Sequence, residues 1–214
     1  MTEAGALNYI ESNSRCAVIV AHPDDETLWV GGLILMHPQV SWTIVTICRK
    51  SDPDRAPKFF EVVRKLNADG FMADLDDGPE QKPLDNAEIQ DTIMQMLPLE
   101  NYDLVITHGR DGEYTRHLRH EETSTAVLEL CNSGRLLTGR LWMFAYEDGD
   151  REYLPRAIEK ADIKIELNDE IWREKYKIIT NIYGFDEYSF EAKTTPRIEA
   201  FRLVKLDVKY SERS

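Results

Sequence analysis

Hydrophobic and polar positions alternate in short blocks along the first two thirds of the chain. Continuous apolar runs rich in β-branched residues predict strands that are buried on both faces. These runs occupy residues 16–21, 42–48, 102–107 and 141–145, with a shorter strand at 73–75. Apolar positions at helical spacing predict helices at residues 27–36, 56–67, 86–97 and 121–131. Strands that alternate with helices predict an α/β fold, with a mostly parallel sheet covered on both faces.

The pattern becomes less regular after Gly149. Alternating positions predict a strand at residues 163–167, followed by an amphipathic helix at 169–183 and a closing strand at 197–208. No repeat, low-complexity segment or linker divides the sequence. The 214 residues are therefore expected to form one domain, from residue 1 to residue 214.

The net charge of −13 restricts the partners that the protein can have. A field of that sign repels phosphate backbones and anionic lipids, so nucleic-acid and membrane-surface roles are disfavoured. A neutral or cationic small molecule is better matched to this charge. An acidic surface that only keeps the protein soluble is the simpler explanation, because net charge carries no information about fold.

The three cysteines, Cys16, Cys48 and Cys131, lie far apart in the sequence. Their number and spacing fit neither a disulfide framework nor a CxxC metal site, which indicates a reducing compartment. No apolar run reaches the length of a signal peptide or of a membrane span, about 18 residues. A soluble, cytoplasmic protein is therefore expected.

The first predicted strand is followed at once by His22-Pro23-Asp24-Asp25-Glu26. In open α/β sheets, ligands bind at the carboxyl ends of the strands, which is where this imidazole and these carboxylates lie. Acidic residues at the start of a helix also cap free amide groups, and this explanation alone nearly suffices for the three carboxylates. The histidine at the end of the strand favours a functional site.

A second group of histidines, His108, His117 and His120, follows the strand predicted at residues 102–107 and should open on the same sheet edge. Catalytic zinc takes three nitrogen or oxygen ligands and leaves a fourth position for water. One histidine and one aspartate from the first loop, with one histidine from the second, complete such a set. For His108 and for His37, a structural role with satisfied hydrogen bonds is the favoured interpretation.

The first motif, together with a downstream His-x-x-His at His117 and His120, resembles the LmbE/PIG-L de-N-acetylases. The resemblance covers about residues 15–131 and implies a Rossmann-like three-layer sandwich and zinc-dependent hydrolysis of an N-acetyl group. Matched by position, it makes His22, Asp25 and His120 the metal ligands. It makes Asp24 the general base, and it places His117 beside the reacting carbonyl, where a protonated imidazole would stabilise the oxyanion.

The resemblance also suggests residues that bind substrate or support the site. Arg55 corresponds to an arginine after the second strand that often contacts substrate in this family, and Tyr114 and Arg116 are expected at the pocket mouth from their loop position, with Arg119. Glu26 is expected to orient His22 or a backbone amide.

The sequence departs from the family pattern at three places. Arg119 stands where relatives commonly have an aspartate between the two histidines, and Arg55-Ala-Pro-Lys58 stands where many have Arg-x-x-Glu. Tyr114 is one residue out of step with the family tyrosine that precedes the histidine. The substrate pocket is therefore expected to differ more from that of relatives than the metal chemistry does.

The expected function is removal of an N-acetyl group from an amino sugar or a related N-acylated small molecule, with zinc or another divalent transition metal. Two alternatives stay open: hydrolysis of a different amide or ester bond, and a catalytically silent binding module on the same fold. The glycines of a dinucleotide-binding turn are missing after the first strand, which disfavours NAD. The sequence leaves the oligomeric state open, including a homo-oligomer.

Overall fold

A seven-stranded sheet lies at the centre of the molecule, which a computed structural model describes for residues 10–99 and 101–207. We number its strands in chain order. They are β1 Arg15–Val20, β2 Ser41–Cys48, β3 Ala68–Leu75, β4 Leu104–Thr107, β5 Leu141–Phe144, β6 Ile163–Glu166 and β7 Ile198–Val204. In space the order is β6-β7-β5-β4-β1-β2-β3. The five strands that are adjacent in space as β5-β4-β1-β2-β3 are parallel to one another. β7 runs antiparallel to both of its neighbours, β6 and β5.

The strand order reverses at β1, which is flanked by β2 on one side and by β4 on the other. In the register of β1 with β4, Ile19 lies opposite Thr107. The chain therefore leaves both strands at the same level, and the loops that follow them open on the same edge. In open α/β sheets this switch point is where a crevice forms for ligands.

Helices cover both faces of the sheet. They are α1 Asp25–Met36, α2 Arg55–Lys65, α3 Asn86–Met96, α4 Leu118–Asn132, α5 Asp169–Lys177 and the short α6 Phe190–Thr194. Val18 and Val20 of β1 pack in one core with α1, α2 and α5, whereas Ala17 and Ile19 pack in a second core with α3 and α4. The expected Rossmann-like three-layer α/β sandwich with a mostly parallel sheet is confirmed.

The structure differs from the sequence expectations mainly at polar or irregular segments. β3 has eight residues instead of the three expected, because Ala68-Asp69-Gly70 pairs with β2 without an apolar pattern. The helix expected at residues 169–183 ends at Lys177 and continues as a π-helical turn, Ile178–Ile182. α6 was not expected. The closing strand ends at Val204, and residue 208 of the expected range lies outside the described residues.

A buried ion pair anchors α1, the helix that begins at the first motif. Lys175 Nζ lies 2.7 Å from Glu199 Oε1, and both side chains are fully buried. The same carboxylate accepts the backbone N–H groups of Gly32 and Leu33, each at 2.7 Å. A Cβ atom on Gly32 would come within 2.5 Å of the terminal methyl groups of Leu167, so a larger residue here would have to displace that side chain.

Within residues 10–99 and 101–207, no helix is both long enough and apolar enough to cross a bilayer.

Candidate metal centre

The two histidine-bearing loops meet at the switch point of the sheet. His22 follows β1 directly and precedes α1, while His117 is the N-cap residue of α4 and His120 lies in its first turn. α4 begins at Leu118, three residues earlier than the sequence pattern indicates, so both histidines of the second motif are placed by the helix start.

Three side-chain atoms from these loops form a nearly equilateral triangle. His22 Nδ1 lies 3.3 Å from Asp25 Oδ2 and 3.3 Å from His120 Nε2. His120 Nε2 lies 3.4 Å from Asp25 Oδ2. Ligand atoms about 2.0–2.1 Å from a tetrahedral zinc ion are about 3.3–3.4 Å from one another. The triangle therefore fits one face of a tetrahedral divalent metal site.

Each histidine of the triangle has a carboxylate behind its other ring nitrogen. Asp77 Oδ1 lies 3.2 Å from His22 Nε2, and Glu113 Oε2 lies 2.7 Å from His120 Nδ1. A carboxylate hydrogen-bonded to such a nitrogen fixes the tautomer and orientation of a metal-binding imidazole, as Glu113 does for His120, whereas the contact of Asp77 with His22 lacks hydrogen-bond geometry. The nitrogens left facing the triangle are His22 Nδ1 and His120 Nε2, as a metal site requires.

Glu113 is fully buried and connects two imidazoles. Burial alone would raise the pKa of Glu113, but the charges and hydrogen bonds of His108 and His120 lower it to about 2. Burial alone would lower the pKa of His120, but Asp25 and Glu113 outweigh burial and raise it to about 10. The carboxylates of Asp25 and Glu113 thus favour a positive charge on or beside the imidazole of His120.

His108 is a structural residue, as expected. Its Nε2 accepts the backbone N–H of Ala21 at 2.9 Å, so its proton is on Nδ1, which donates to Glu113 Oε2 at 2.9 Å. Nε2 lies 3.6 Å from Asp25 Oδ2, but its lone pair is already used. The prediction for His37 is met in part, because its buried Nδ1 donates to Leu33 O at 2.9 Å, whereas its Nε2 has no hydrogen-bond partner among the described residues.

Asp24 stands beside the triangle in a strained backbone conformation. Its φ of 112° lies in a region that favours glycine, at a cost of roughly 1–3 kcal/mol. Glu26 Oε2 accepts the backbone N–H of Asp24 at 3.0 Å, and Glu26 Oε1 accepts from Tyr183 Oη at 2.8 Å. Glu26 therefore holds a backbone amide, one of the two roles expected for it.

The carboxylate of Asp24 is half-buried and pairs with the guanidinium of Arg55, whose Nη1 lies 3.3 Å from Asp24 Oδ2. Burial and the neighbouring charge of Asp25 raise the pKa of Asp24 well above its usual value, and Arg55 opposes the shift. The guanidinium of Arg55 also lies 4.3 Å from the centre of the Phe185 ring. A carboxylate with a raised pKa next to a metal site is suited to proton transfer.

The ring of His117 stacks on His120 at a centroid distance of 4.3 Å and lies 4.6 Å from the ring of His22. Burial, followed by the charges of His120 and His22, lowers the pKa of His117 to about 3. The neutral imidazole is therefore favoured, and its Nδ1 has no hydrogen-bond partner among the described residues. Nitrogens of these three histidines lie within 4.8 Å of one another, a looser set than the triangle with Asp25.

A cleft of about 180 Å³, which we call the central cleft, opens over these groups. Its wall carries charged side chains and aromatic rings, namely Asp24, Arg49, Arg55, Asp77, Glu191, Tyr114, His117 and Phe190. Two of the three residues expected to bind substrate, Arg55 and Tyr114, lie on this wall. The third, Arg116, is exposed, pairs with Glu121 at 2.9 Å and lies on a neighbouring cleft.

The model of the PIG-L family, described as GlcNAc-PI de-N-acetylase, matches residues 17–131, just over half of the chain and the part that carries both histidine loops. The chain belongs to the PIG-L family. This membership supports a deacetylase-type, hydrolytic function, and the candidate histidine and aspartate groups agree with the metal dependence that is general in the PIG-L family.

Relatives outside the family model are distant. An uncharacterized protein of Acanthamoeba polyphaga mimivirus is 22% identical over 178 residues, which cover 76% of this PIG-L chain and 75% of the viral protein. Among solved structures, GalB, the 4-carboxy-2-hydroxymuconate hydratase from Pseudomonas putida, has a TM-score of 0.65 at 14% identity and covers 92% of this chain and 99% of its own.

Two further structures share the fold. A conserved protein from Thermus thermophilus has a TM-score of 0.59 at 17% identity, over 94% of this chain and 99% of its own. A deacetylase from teicoplanin biosynthesis, solved with teicoplanin, has a TM-score of 0.57 at 14% identity, over 80% of this chain and 87% of its own. At these identities the likeness shows the fold alone.

Arg119 is one of the positions at which this PIG-L chain departs from the family pattern, and its side chain has a structural role. Arg119 is fully buried instead of lining the pocket mouth, because its guanidinium donates to Asp76 O at 2.7 Å and also to Lys82 O and Glu122. It holds the loop that carries Asp77. The acidic partners of the histidines lie elsewhere, at Asp77 after β3 and at Glu113 in the loop between β4 and α4.

Sequence reasoning missed five residues of this site: Asp77, Glu113, Arg49, Phe190 and Glu191. Two of them could have been identified from the sequence, namely Asp77 in the acidic turn after β3 and Glu113 between His108 and His117. Both segments follow strands of the parallel sheet. Phe190 and Glu191 gave no such signal, because their segment follows no strand that the pattern could place.

Proposed function

We propose that this protein is a metal-dependent de-N-acetylase that hydrolyses the N-acetyl group of an amino sugar or a related N-acylated small molecule. The observation that carries the proposal is the triangle of His22, Asp25 and His120 with Asp24 beside it. A site that only bound a metal would not need an additional carboxylate with a raised pKa, such as that of Asp24. Membership of the PIG-L family supports the same reaction.

His22, Asp25 and His120 would hold the metal, which we propose to be zinc, with another divalent transition metal able to use the same ligands. When bound, the ion supplies a Lewis acid that polarises the acyl carbonyl and lowers the pKa of a water molecule.

Asp24 acts as the general base in this proposal. Its carboxylate accepts a proton from the attacking water, whose oxygen bonds to the carbonyl carbon. Glu26 fixes the backbone of Asp24. The charge of Arg55 lowers the pKa of the Asp24 carboxyl and so favours its ionised form. The carbon–nitrogen bond then breaks, and the products are acetate and the free amine.

His117 faces the same space and donates its N–H to the oxyanion that forms during attack. Because the neutral form of His117 is favoured, this contribution comes from a hydrogen bond and not from a full positive charge. Removal of one such donor costs on the order of 3 kcal/mol of transition-state stabilisation. The protonated Asp24 returns the proton that it took from water to the leaving amine.

The proposed partner is a small molecule, with neither nucleic acid nor membrane involved, and the chain is proposed to act as one domain. The central cleft admits an acetamido group and part of a ring, with Arg55 and Tyr114 on its wall. Arg116 stays a candidate only for a substrate that extends into the neighbouring cleft. The three cysteines are free and buried, which favours the reducing environment of the cytoplasm.

The fold by itself does not determine the reaction, since GalB is a hydratase with the same architecture.

The proposal is therefore tested by amine release from a panel of N-acetylated sugars and simple N-acetyl amines by the metal-loaded protein. Asp24→Asn and His117→Ala should each lose at least 100-fold in kcat and keep their metal. Asp91→Asn, an exposed aspartate on α3 outside both clefts, is the matched control and should keep full activity. Hydrolysis of another amide or an ester, without amine release from any N-acetyl compound, would contradict the proposal.

A further inference from the structure

We propose that Phe190 and Glu191 form the part of the central cleft that recognises a hydroxyl-bearing ring, with Glu191 accepting hydrogen bonds from ring hydroxyls and Phe190 packing on the apolar face of the ring. The inference rests on the proposed function, because it assigns specificity-determining residues of the same site. Both residues lie outside residues 17–131, the part that matches the family.

The two residues are brought to the cleft by the start of α6. Ser189 caps this short helix by accepting the N–H of Ala192 at 3.1 Å. α6 packs against the π-helical turn Ile178–Ile182, whose C-cap residue, Tyr183, donates to Glu26. The segment that carries Phe190 and Glu191 is thus connected directly to the support of Asp24.

Glu191 differs from the other charged residues of the central cleft in having no partner within residues 10–99 and 101–207. Arg49 pairs with Asp77 at 2.7 Å, and Arg55 pairs with Asp24 at 3.3 Å. The half-buried carboxylate of Glu191 has neither a hydrogen bond nor an ion pair among the described residues. A partly desolvated carboxylate with unused acceptor positions is stabilised by a ligand that supplies donors. Ring hydroxyls are donors of that kind, and hydrogen bonds to a charged acceptor are about twice as strong as neutral ones.

Phe190 extends an aromatic wall from His117 to the surface. Its ring lies 5.1 Å from the ring of Tyr114 at an interplanar angle of 69°, and Tyr114 lies 5.9 Å from His117. Phe190 is 39% exposed, so a large part of an apolar ring faces the cleft mouth and solvent. A ring with hydroxyls at its rim and C–H groups on its face matches an aromatic surface next to a carboxylate.

The test measures binding of N-acetylglucosamine and of N-acetylcyclohexylamine, a ring without hydroxyls, by calorimetry. The metal-loaded Asp24→Asn protein is used so that neither compound is consumed. Adding Glu191→Gln should weaken binding of N-acetylglucosamine about tenfold and leave N-acetylcyclohexylamine within twofold. Adding Phe190→Leu should weaken both compounds about fivefold. Adding Glu187→Gln, on the same segment but outside the cleft, should change neither.

Equal effects of Glu191→Gln on the two compounds, no effect on N-acetylglucosamine, or no binding of N-acetylglucosamine at all would overturn the assignment. Failure of the proposed function looks different. Sugar binding that depends on Glu191, without release of amine by the wild-type protein, would refute deacetylation and support the recognition surface. Release of amine from both compounds, with no dependence on Glu191, would support deacetylation and refute the recognition surface.

Discussion

His22 Nδ1 lies 3.3 Å from His120 Nε2, although the two residues are 98 positions apart in the sequence. The contact exists because β1 and β4 are adjacent parallel strands in register, so the loops after them reach the same point. Neither loop alone supplies all three corners of the triangle formed by His22, Asp25 and His120.

The first prediction concerns which residues bind the metal. His120→Ala and Asp25→Asn should each lower zinc affinity at least 100-fold, because each removes one corner of a three-point site. His117→Ala should bind zinc with wild-type affinity. Competition with a chromogenic chelator measures all three. Loss of zinc in His117→Ala with retention in Asp25→Asn would assign the looser set of three histidines instead.

The second prediction concerns the pH dependence of activity. Asp24 must be ionised to act as a base, and its pKa is raised, so kcat/KM should fall with decreasing pH at a pH above the usual aspartate value of about 3.9. Arg55 lowers this pKa, so Arg55→Gln should move the acidic limb to higher pH. Lys58→Gln removes a charge from the same helix, where Lys58 pairs with Asp54, and should leave the limb in place. An acidic limb that stays at the same pH in Arg55→Gln, or moves to lower pH, would contradict the role given to Asp24.

The third prediction concerns Tyr183, a residue that holds the base through Glu26. Tyr183→Phe removes the hydrogen bond to Glu26 Oε1, and the strained backbone of Asp24 should relax. We expect kcat to fall about tenfold, with unchanged KM and metal content. Tyr146→Phe is the control: this buried tyrosine bonds the backbone of Trp29 and Ala200, and its loss should affect stability and not kcat. A change in KM alone would argue against positioning of the base.

The sequence predicted most of the parallel sheet because apolar, β-branched runs such as that of β1 are buried on both faces and carry a strong pattern. It did not predict the full length of β3, since Ala68-Asp69-Gly70 has no apolar run. The proximity of His22, Asp25 and His120 followed from loop order and family motif, and their role as metal ligands stays a prediction. The contacts of Asp77 and Glu113 could not be predicted, although both residues follow strands of the parallel sheet, because these contacts depend on how the loops fold over the sheet edge and not on any spacing.

The fourth prediction concerns stability. Lys175→Met removes one partner of the fully buried pair with Glu199, which leaves an unpaired charge beside α1. The free energy of unfolding should fall by about 3–5 kcal/mol. Lys177→Met, whose exposed amine pairs with Glu174, should cost less than about 1 kcal/mol. Urea unfolding of the two variants provides the comparison, and equal midpoints would show that the buried pair does not stabilise the fold.

The most direct test of the central claim is acetate release from N-acetylated amino sugars by the wild-type protein before and after removal of metal. The proposal predicts that the protein stripped by a chelator releases no acetate, and that one equivalent of zinc restores the rate. Acetate release at an undiminished rate by the stripped protein would contradict the metal requirement. No acetate release from any member of the panel, by protein that holds one equivalent of metal, would contradict the deacetylase function.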